Sequence, residues 1–239
     1  MASVTSADSD GQGHDRTAAR AARRERKRDQ SREEILAGAR RVLLRHGIGA
    51  MTLDAVANEV GMSKTGLYYY FPSKDALAFE LVHGVIEAQA KAVEARVGEA
   101  ADGGGALRAI LGGTVDAFAP RLDDFRLAFL FGQVAGAGAI RWDREQFWDA
   151  EQFDRIRPLN DLMLAGATAK LGGERRARPA RAAVEPRLMA FLAYLSAIGL
   201  LTMKGMVEPM DDPLLYSDEQ LVEGFSRIFE AAAEPGGEG

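Results

Sequence analysis

Residues 51–74 read MTLDAVANEVGMSKTGLYYYFPSK, and their punctuation predicts two short helices joined by a tight turn. Thr52 is a good N-cap for a helix over 53–60, with Asp54 in the first turn where the helix dipole favours an acid. Gly61 supplies the left-handed residue that ends this helix, and Ser63 caps a second one. Ala57, four residues before Gly61, offers a small side chain where another helix must cross. Pro72 closes the unit, because the residue before a proline is pushed out of the helical region. Two short helices about a Gly-containing turn are the helix-turn-helix pattern.

Packing alone does not account for the second helix. Leu67 and Phe71 are four apart and share a face that can enter a small core. Tyr68, Tyr69 and Tyr70 fan around the axis at roughly 100° per residue, and so short a helix cannot bury all three. The opposite face displays Lys64, Thr65, Gly66, Tyr68 and Tyr69: a cation, hydroxyls, and a glycine that lets backbone approach a partner. Such groups suit a phosphate backbone and major-groove base edges. The alternative is that the tyrosines only cover the first helix of the domain. Lys74, in the first turn of a helix capped by Ser73, works against the dipole unless an anion lies across that end.

Residues 31–78, about a fifth of the chain, resemble the DNA-binding domain of the tetracycline-repressor (TetR) family of bacterial regulators. The resemblance is carried by ILAGARRVLLRHG at 35–47 and by MTLDAVANEVGMSKTGLYYYFPSKDAL, which contains G-x-S-x-x-x-L-Y-x-x-F-x-S-K. It implies that Thr52 meets a phosphate, that Lys64, Thr65 and Gly66 meet bases, and that Tyr68, Tyr69 and Lys74 hold the DNA backbone. Tyr70 stands where members of the family often carry His.

The 239 residues, 47% of them hydrophobic, can bury a substantial core in one large or two small domains. Zero cysteines exclude a disulfide framework and any thiolate metal site. The longest uncharged apolar run, residues 188–203, is shorter than the ~20 residues a membrane span needs. The first 30 residues lack the apolar stretch of a signal peptide, so the expected setting is soluble and cytoplasmic, with no membrane partner. The net charge of −5 hides an asymmetry: residues 1–75 carry +3 and the remainder −8. The basic excess lies at the end that holds the helix-turn-helix.

Taken in order, residues 1–30 read as a disordered arm, acidic and small at first, then basic. Arg16, Arg20, Arg23, Arg24, Arg26, Lys27, Arg28 and Arg32 stand against Glu25 and Asp29. Beside a DNA-binding domain, such an arm is expected to follow the backbone or enter a minor groove. Ser31 and Glu34 form a capping box that opens helix 1. Ile35, Leu36, Ala39, Val42 and Leu43 make its buried stripe, and Gly47 ends it.

A long helix follows from Ser73 to about residue 97, linking the domain to the body so that its tilt can couple the two. Residues 102–105 read as a breaker. Further helices are expected at about 106–119, 122–139, 144–171, 183–206 and 218–233, with a loop over 172–181, a break at 208–213 and a disordered tail over 234–239. The fold class is all-α. A helix-turn-helix three-helix domain over 31–78 precedes a helical effector-binding and dimerisation domain over 79–233.

The middle helices hold a surplus of aromatics, and a small-molecule effector is expected among Phe118, Phe125, Phe129, Phe147, Trp148 and Met163, with Gln133 and Asn160 as polar anchors. Aromatics at helical spacing also serve as plain core. In the C-terminal pair, Ala190, Ala193 and Ala197 share a face. Leu221, Val222, Phe225, Ile228 and Phe229 form a stripe. One fold could bury both surfaces, but the resemblance implies that these two helices pair with their symmetry mates. A homodimer suits a helix-turn-helix that reads a palindrome.

The function these readings support is a DNA-binding transcriptional regulator, a repressor released from a palindromic operator by a small-molecule effector. Its partners are then double-stranded DNA, the effector and a second copy of the chain. No catalytic residue, cofactor or metal is expected. Three scattered histidines and glycine runs without a preceding strand give little support to an enzyme with an accessory DNA-binding head. A constitutive DNA-coating protein would instead bind broadly.

Overall fold

A computed structural model describes residues 9–130, 150–177, 184–207 and 216–233, and every regular element among them is helical. The chain divides into two units, Met1–Glu80 and Leu81–Gly239.

The first unit holds α1 (Ser9–Ala50), α2 (Leu53–Glu59), α3 (Lys64–Tyr70) and the start of α4 (Lys74–Glu99). α1 begins far upstream of the expected capping box. Ser31 lies inside the helix, its hydroxyl donating to the Lys27 carbonyl at 3.0 Å. The arm expected to be disordered is helical from Ser9 onward. Its many Ala, Arg, Glu and Lys residues are strong helix formers, so propensity carries the helix through the box. The backbone leaves the helical region at Gly47, where φ is 76°.

Ile35, Ala39 and Val42 from α1 are buried, as are Val56 and Ala57 from α2 and Leu67 and Phe71 around α3. Leu36 and Leu43 are only partly covered, so the buried stripe is narrower than the sequence suggested. Met51 closes the core between α1 and α2 with no exposure at all.

The turn is built as its sequence indicates. The Thr52 hydroxyl accepts from the Ala55 N–H at 3.1 Å, and the Ser63 hydroxyl from the Gly66 N–H at 3.1 Å. At the end of α2, Met62 N–H bonds to Ala57 O and Gly61 N–H to Asn58 O, with Gly61 at φ 67°. That pairing is a Schellman motif, which needs a left-handed residue at Gly61. The close helix crossing comes from Gly38 on α1: a Cβ there would stand 2.2 Å from Val60 Cγ1. Arg41 Nε and Arg45 Nη2 both reach Glu59 Oε1 at 2.7 Å, tying α1 to α2.

The second unit comprises the rest of α4, α5 (Gly103–Phe118), α6 (Leu122–Phe125), α7 (Ala150–Ala177), α8 (Pro186–Val207) and α9 (Asp218–Ala233). Residues 102–105, expected as a breaker, instead start α5. Asp102 caps it by accepting from the Gly105 N–H at 2.7 Å, and the Gly103 N–H donates to Glu174 at 2.6 Å. α7 continues to Ala177 through the start of the expected loop. Beyond α6 the chain winds as a π turn over Arg126–Leu130 rather than continuing as an α-helix.

Val93, Leu107, Ile110, Met163, Ala193 and Phe229 lie in the main core of this unit. α8 contains 21 residues, Pro186–Met206, long and apolar enough to cross a membrane by length and composition, more than the sixteen-residue run suggested. One of its faces is core: Met189, Ala190, Ala193, Ala197, Leu200 and Leu201 are buried. Of the two uses open to the alanine face, packing within the fold and a dimer seam, the first is the one observed. On α9, Phe229 is buried and Ile228 exposed, while Leu221, Val222 and Phe225 pack against the α5–α8 core. Arg108 on α5 bonds Glu223 and Glu230 of α9 and fixes that last helix.

Candidate nucleic-acid interface

α3 is anchored from below and displayed above. Leu67 and Phe71 are buried, while Tyr68 is 44% and Tyr69 72% exposed. Lys64 and Thr65 are also exposed. The reading in which the tyrosines cover helix 1 does not fit so open a Tyr69. Tyr70, partly covered, sets its ring edge-on to Tyr69 at 5.2 Å between centroids. Gly66 has a local reason to be small as well, since a Cβ would lie 3.0 Å from Met62 Cγ and 3.1 Å from the Ser63 hydroxyl.

A hollow of about 440 Å³ opens beside α3, lined by Thr52, Leu53, Asp54, Tyr68, Pro72, Ser73 and Lys74. It brings together three of the expected DNA contacts, Thr52, Tyr68 and Lys74. The Thr52 hydroxyl spends an acceptor lone pair on the Ala55 N–H, which leaves its own proton for another acceptor. The Ser73 hydroxyl caps α4 by accepting from the Ala76 N–H at 3.0 Å. Thr52, Tyr68 and Lys74 share this concavity with the apolar Leu53 and Pro72 and with the acid Asp54. Lys64, Thr65, Gly66 and Tyr69 do not line it; they lie along α3.

Two residues acquire roles that the sequence reading missed. Asp54, taken as a partner of the helix dipole, pairs with Lys64 at 2.8 Å. This hydrogen bond and the carboxylate charge raise the Lys64 pKa above its ordinary value. Lys64 Nζ also stands 6.0 Å from the centre of the Tyr68 ring. Arg32, counted among the arm cations, belongs to the domain. Its Nη1 donates to the Tyr70 carbonyl at 3.3 Å, its guanidinium lies 4.7 Å over the Phe71 ring, and Nη2 is 3.6 Å from Glu80. It holds the C-terminal end of α3. No local sequence signal separates it from its arginine neighbours; only its place one helical turn before the buried Ile35 hints at it.

In the second unit the expected effector residues separate. Phe118, Phe125 and Phe129 form one cluster, with Phe125 and Phe129 stacked at 5.2 Å and Phe118 edge-on to both. Met163 belongs to the neighbouring core around Val93 and Leu107. Asn160 is exposed on α7 and joins neither. Gln133, Phe147 and Trp148 lie outside the described residues.

Other polar groups are buried in this unit, Asp124 next to Phe125 and a pair on α4 and α5. Gln89 Nε2 donates to the Thr114 hydroxyl at 3.3 Å, both side chains fully enclosed. Tyr194 lies 6.4 Å from Phe129, its phenol pushed well above the ordinary value by burial, with a Gln89 hydrogen bond acting the other way. Gln89 sits in the apolar stripe of α4, three residues after Ile86 and four before Val93. That polar residue on a core face was the available signal.

Residues 35–81 match the tetR family of bacterial regulatory proteins. No curated protein matches the chain. Solved structures share its fold. A transcriptional regulator of the TetR/AcrR family from Thermobifida fusca YX-ER1 superposes with a TM-score of 0.58 at 21% identity, over 84% of this chain and 96% of the other. A TetR family transcription regulator from Marinobacter aquaeolei VT8 gives 0.57 at 19% identity, over 86% and 97%. The transcriptional regulator FadR from Bacillus subtilis, in complex with stearoyl-CoA, gives 0.53 at 15% identity, over 85% and 98%.

Proposed function

We propose, from the premise that residues 35–81 are a domain of the tetR family of bacterial regulatory proteins, that this chain is a cytoplasmic transcriptional repressor released from a palindromic operator by a small-molecule effector. The observation that carries the reading is the display on α3: Leu67 and Phe71 pin the helix while Lys64, Thr65, Tyr68 and Tyr69 face outward. Lys64, Thr65 and Gly66 read base edges in the major groove, and Tyr69 holds the backbone beside them. Thr52, Tyr68 and Lys74 grip one phosphate in the hollow beside the helix.

The dimer forms through α8 and α9. Around α8, Leu188, Phe191, Leu195, Met203 and Met206 are all exposed, on the side opposite the buried alanines. A helix that is apolar all round is normally covered all round. A second copy supplies the cover and sets two α3 helices about 34–36 Å apart, in successive major grooves. The effector sits against Phe118, Phe125 and Phe129, with Gln89 and Tyr194 as polar contacts. The complex of the Bacillus subtilis neighbour with stearoyl-CoA supports a small-molecule site on this fold. α4 carries residues of both units, and its displacement on effector binding changes the separation of the reading heads.

The test is to map the genomic fragments that the full chain retains and then compare variants on the strongest fragment. Lys64→Ala with Tyr68→Phe and Tyr69→Phe should abolish the gel shift. An unchanged shift would reject the assignment of α3 as the reading helix.

A further inference from the structure

The cationic run upstream of the helix-turn-helix is a displayed surface. α1 is continuous from Ser9, and Arg20, Arg23, Arg24 and Lys27 recur at i, i+3, i+4 and i+7. Four residues so spaced share one helix face about 100° wide. Arg28 borders that face, whereas Glu25 and Asp29 point to the far side. All five cations are exposed, and among the described residues none meets an acid. Intrinsic propensity keeps the segment helical, since Ala19, Ala21 and Ala22 alternate with Arg, Glu and Lys.

The position of this face matters as much as its charge. Arg32, further along the same helix, bonds the Tyr70 carbonyl and covers Phe71. The extension therefore leaves the domain beside the C-terminal end of α3. At about 1.5 Å per residue, Lys27 lies roughly 7 Å and Arg20 roughly 18 Å further along the axis than Arg32.

We propose that residues 20–28 are a rigid basic arm that lies along the phosphate backbone of duplex DNA flanking the operator, without reading its sequence. The inference rests on the regulator reading above and narrows the two options open at the level of sequence. A helix is about 10–12 Å across with its side chains, and the minor groove is about 6 Å wide, so a helical arm does not enter it. What remains is a rod whose cations gather on one face, Arg26 lying off it, against a polyanion, with the acids turned away.

The experiment uses the full chain, a charge variant (Arg20→Gln, Arg23→Gln, Arg24→Gln, Lys27→Gln) and a helix-breaking variant, Ala22→Pro, that keeps every charge. Each is titrated at several salt concentrations on two duplexes: the operator trimmed to its core, and the same operator with about 15 extra base pairs on each side. On the flanked duplex the charge variant should bind at least tenfold more weakly. Its log–log salt slope should be smaller by about 3–4 for each arm engaged. Ala22→Pro should show the same loss. On the trimmed duplex all three proteins should agree, and scrambling the flanks should change nothing.

Equal slopes for the full chain and the charge variant on the flanked duplex would overturn the proposal. So would Ala22→Pro binding like the full chain, which would mean a flexible arm. Sensitivity to inosine in place of guanine in the flanks would overturn it too, by pointing to minor-groove reading. If the full chain bound neither duplex, the regulator reading itself would fall and the arm with it.

Discussion

Lys64 and Asp54 face each other across the helix-turn-helix, ammonium to carboxylate at 2.8 Å, both side chains more than half exposed. Lys64, assigned to a base in the proposed function, thus rests on an acid from the first turn of α2. On the proposed reading, Lys64 exchanges that partner for a base on binding a duplex, and Asp54 then stands near the phosphate gripped in the hollow. Asp54→Asn removes both penalties. Its operator affinity should rise about 3–10-fold, with a salt slope steeper by up to about 0.9. Fluorescence anisotropy on the mapped operator would measure it. A weaker complex would mean that Asp54 positions Lys64 and does not restrain it.

Gly38 is set by contact with α2. In an exposed helix interior, glycine to alanine gains about 1 kcal/mol. Here the new methyl would meet Val60 Cγ1 at 2.2 Å, and a β-branched valine cannot swing aside. Gly38→Ala should therefore destabilise the domain by about 1–3 kcal/mol. Adding Val60→Ala should recover part of that loss, a coupling that a double-mutant cycle in urea reads directly. Purely additive effects would place the strain elsewhere.

The three caps, the left-handed Gly61 and the display on α3 were legible because each depends on one or two neighbouring residues. Thr52, Ser63 and Ser73 accept the N–H groups that spacing alone designates. Features that depend on competition were less legible. Ser31 and Glu34 satisfy the capping-box pattern, yet the alanine-rich segment before them is helical, and a cap forms only where a helix has no reason to extend. Glycines 103–105 look like a breaker until Asp102 and Glu174 satisfy the first N–H groups of α5. On α8, two apolar faces compete for one core. The residues alone left internal burial and a dimer seam both open for the alanines; tertiary packing drew them inward and left Leu188, Phe191 and Leu195 outside. Tyr194 matters through its place 6.4 Å from Phe129, and Gln89 through its bonds to Thr114 and Tyr194, relations between helices far apart in sequence.

Glu59 gives the first unit a defined response to acid. Hydrogen bonds from Arg41 and Arg45 and their charges hold its carboxyl below the ordinary value of 4.5, against a smaller opposing effect of burial. A group depressed in the folded state contributes its stability fully above the unfolded value and loses it as pH falls through the folded one. The α1–α2 clamp should therefore be intact at neutral pH, begin to weaken below about pH 4.5 and be lost as pH falls through the lower folded value. Glu59→Gln should lower the melting temperature at pH 7 and flatten its decline in that acid window. A variant whose melting curve tracks the full chain at every pH would show that the clamp contributes nothing.

The exposed face of α8 is the place to test the dimer. Leu188, Phe191, Leu195, Met203 and Met206 lie within one side of the helix, and Gly199 at its centre has open space where a Cβ would stand. A glycine there costs helix stability without serving the unit's own packing, which fits a neighbouring helix crossing close to the backbone. Phe191→Glu with Leu195→Lys places charges on that crossing and leaves the buried alanines untouched. The variant should keep its helical circular dichroism and sediment as a monomer at micromolar concentration. Its operator affinity should fall roughly 10²–10⁴-fold, because two linked heads bind by far more than either alone. If the variant remains a dimer, the two copies meet elsewhere and this face needs another occupant. If it is monomeric but binds the full operator as before, one reading head suffices and the palindrome argument fails.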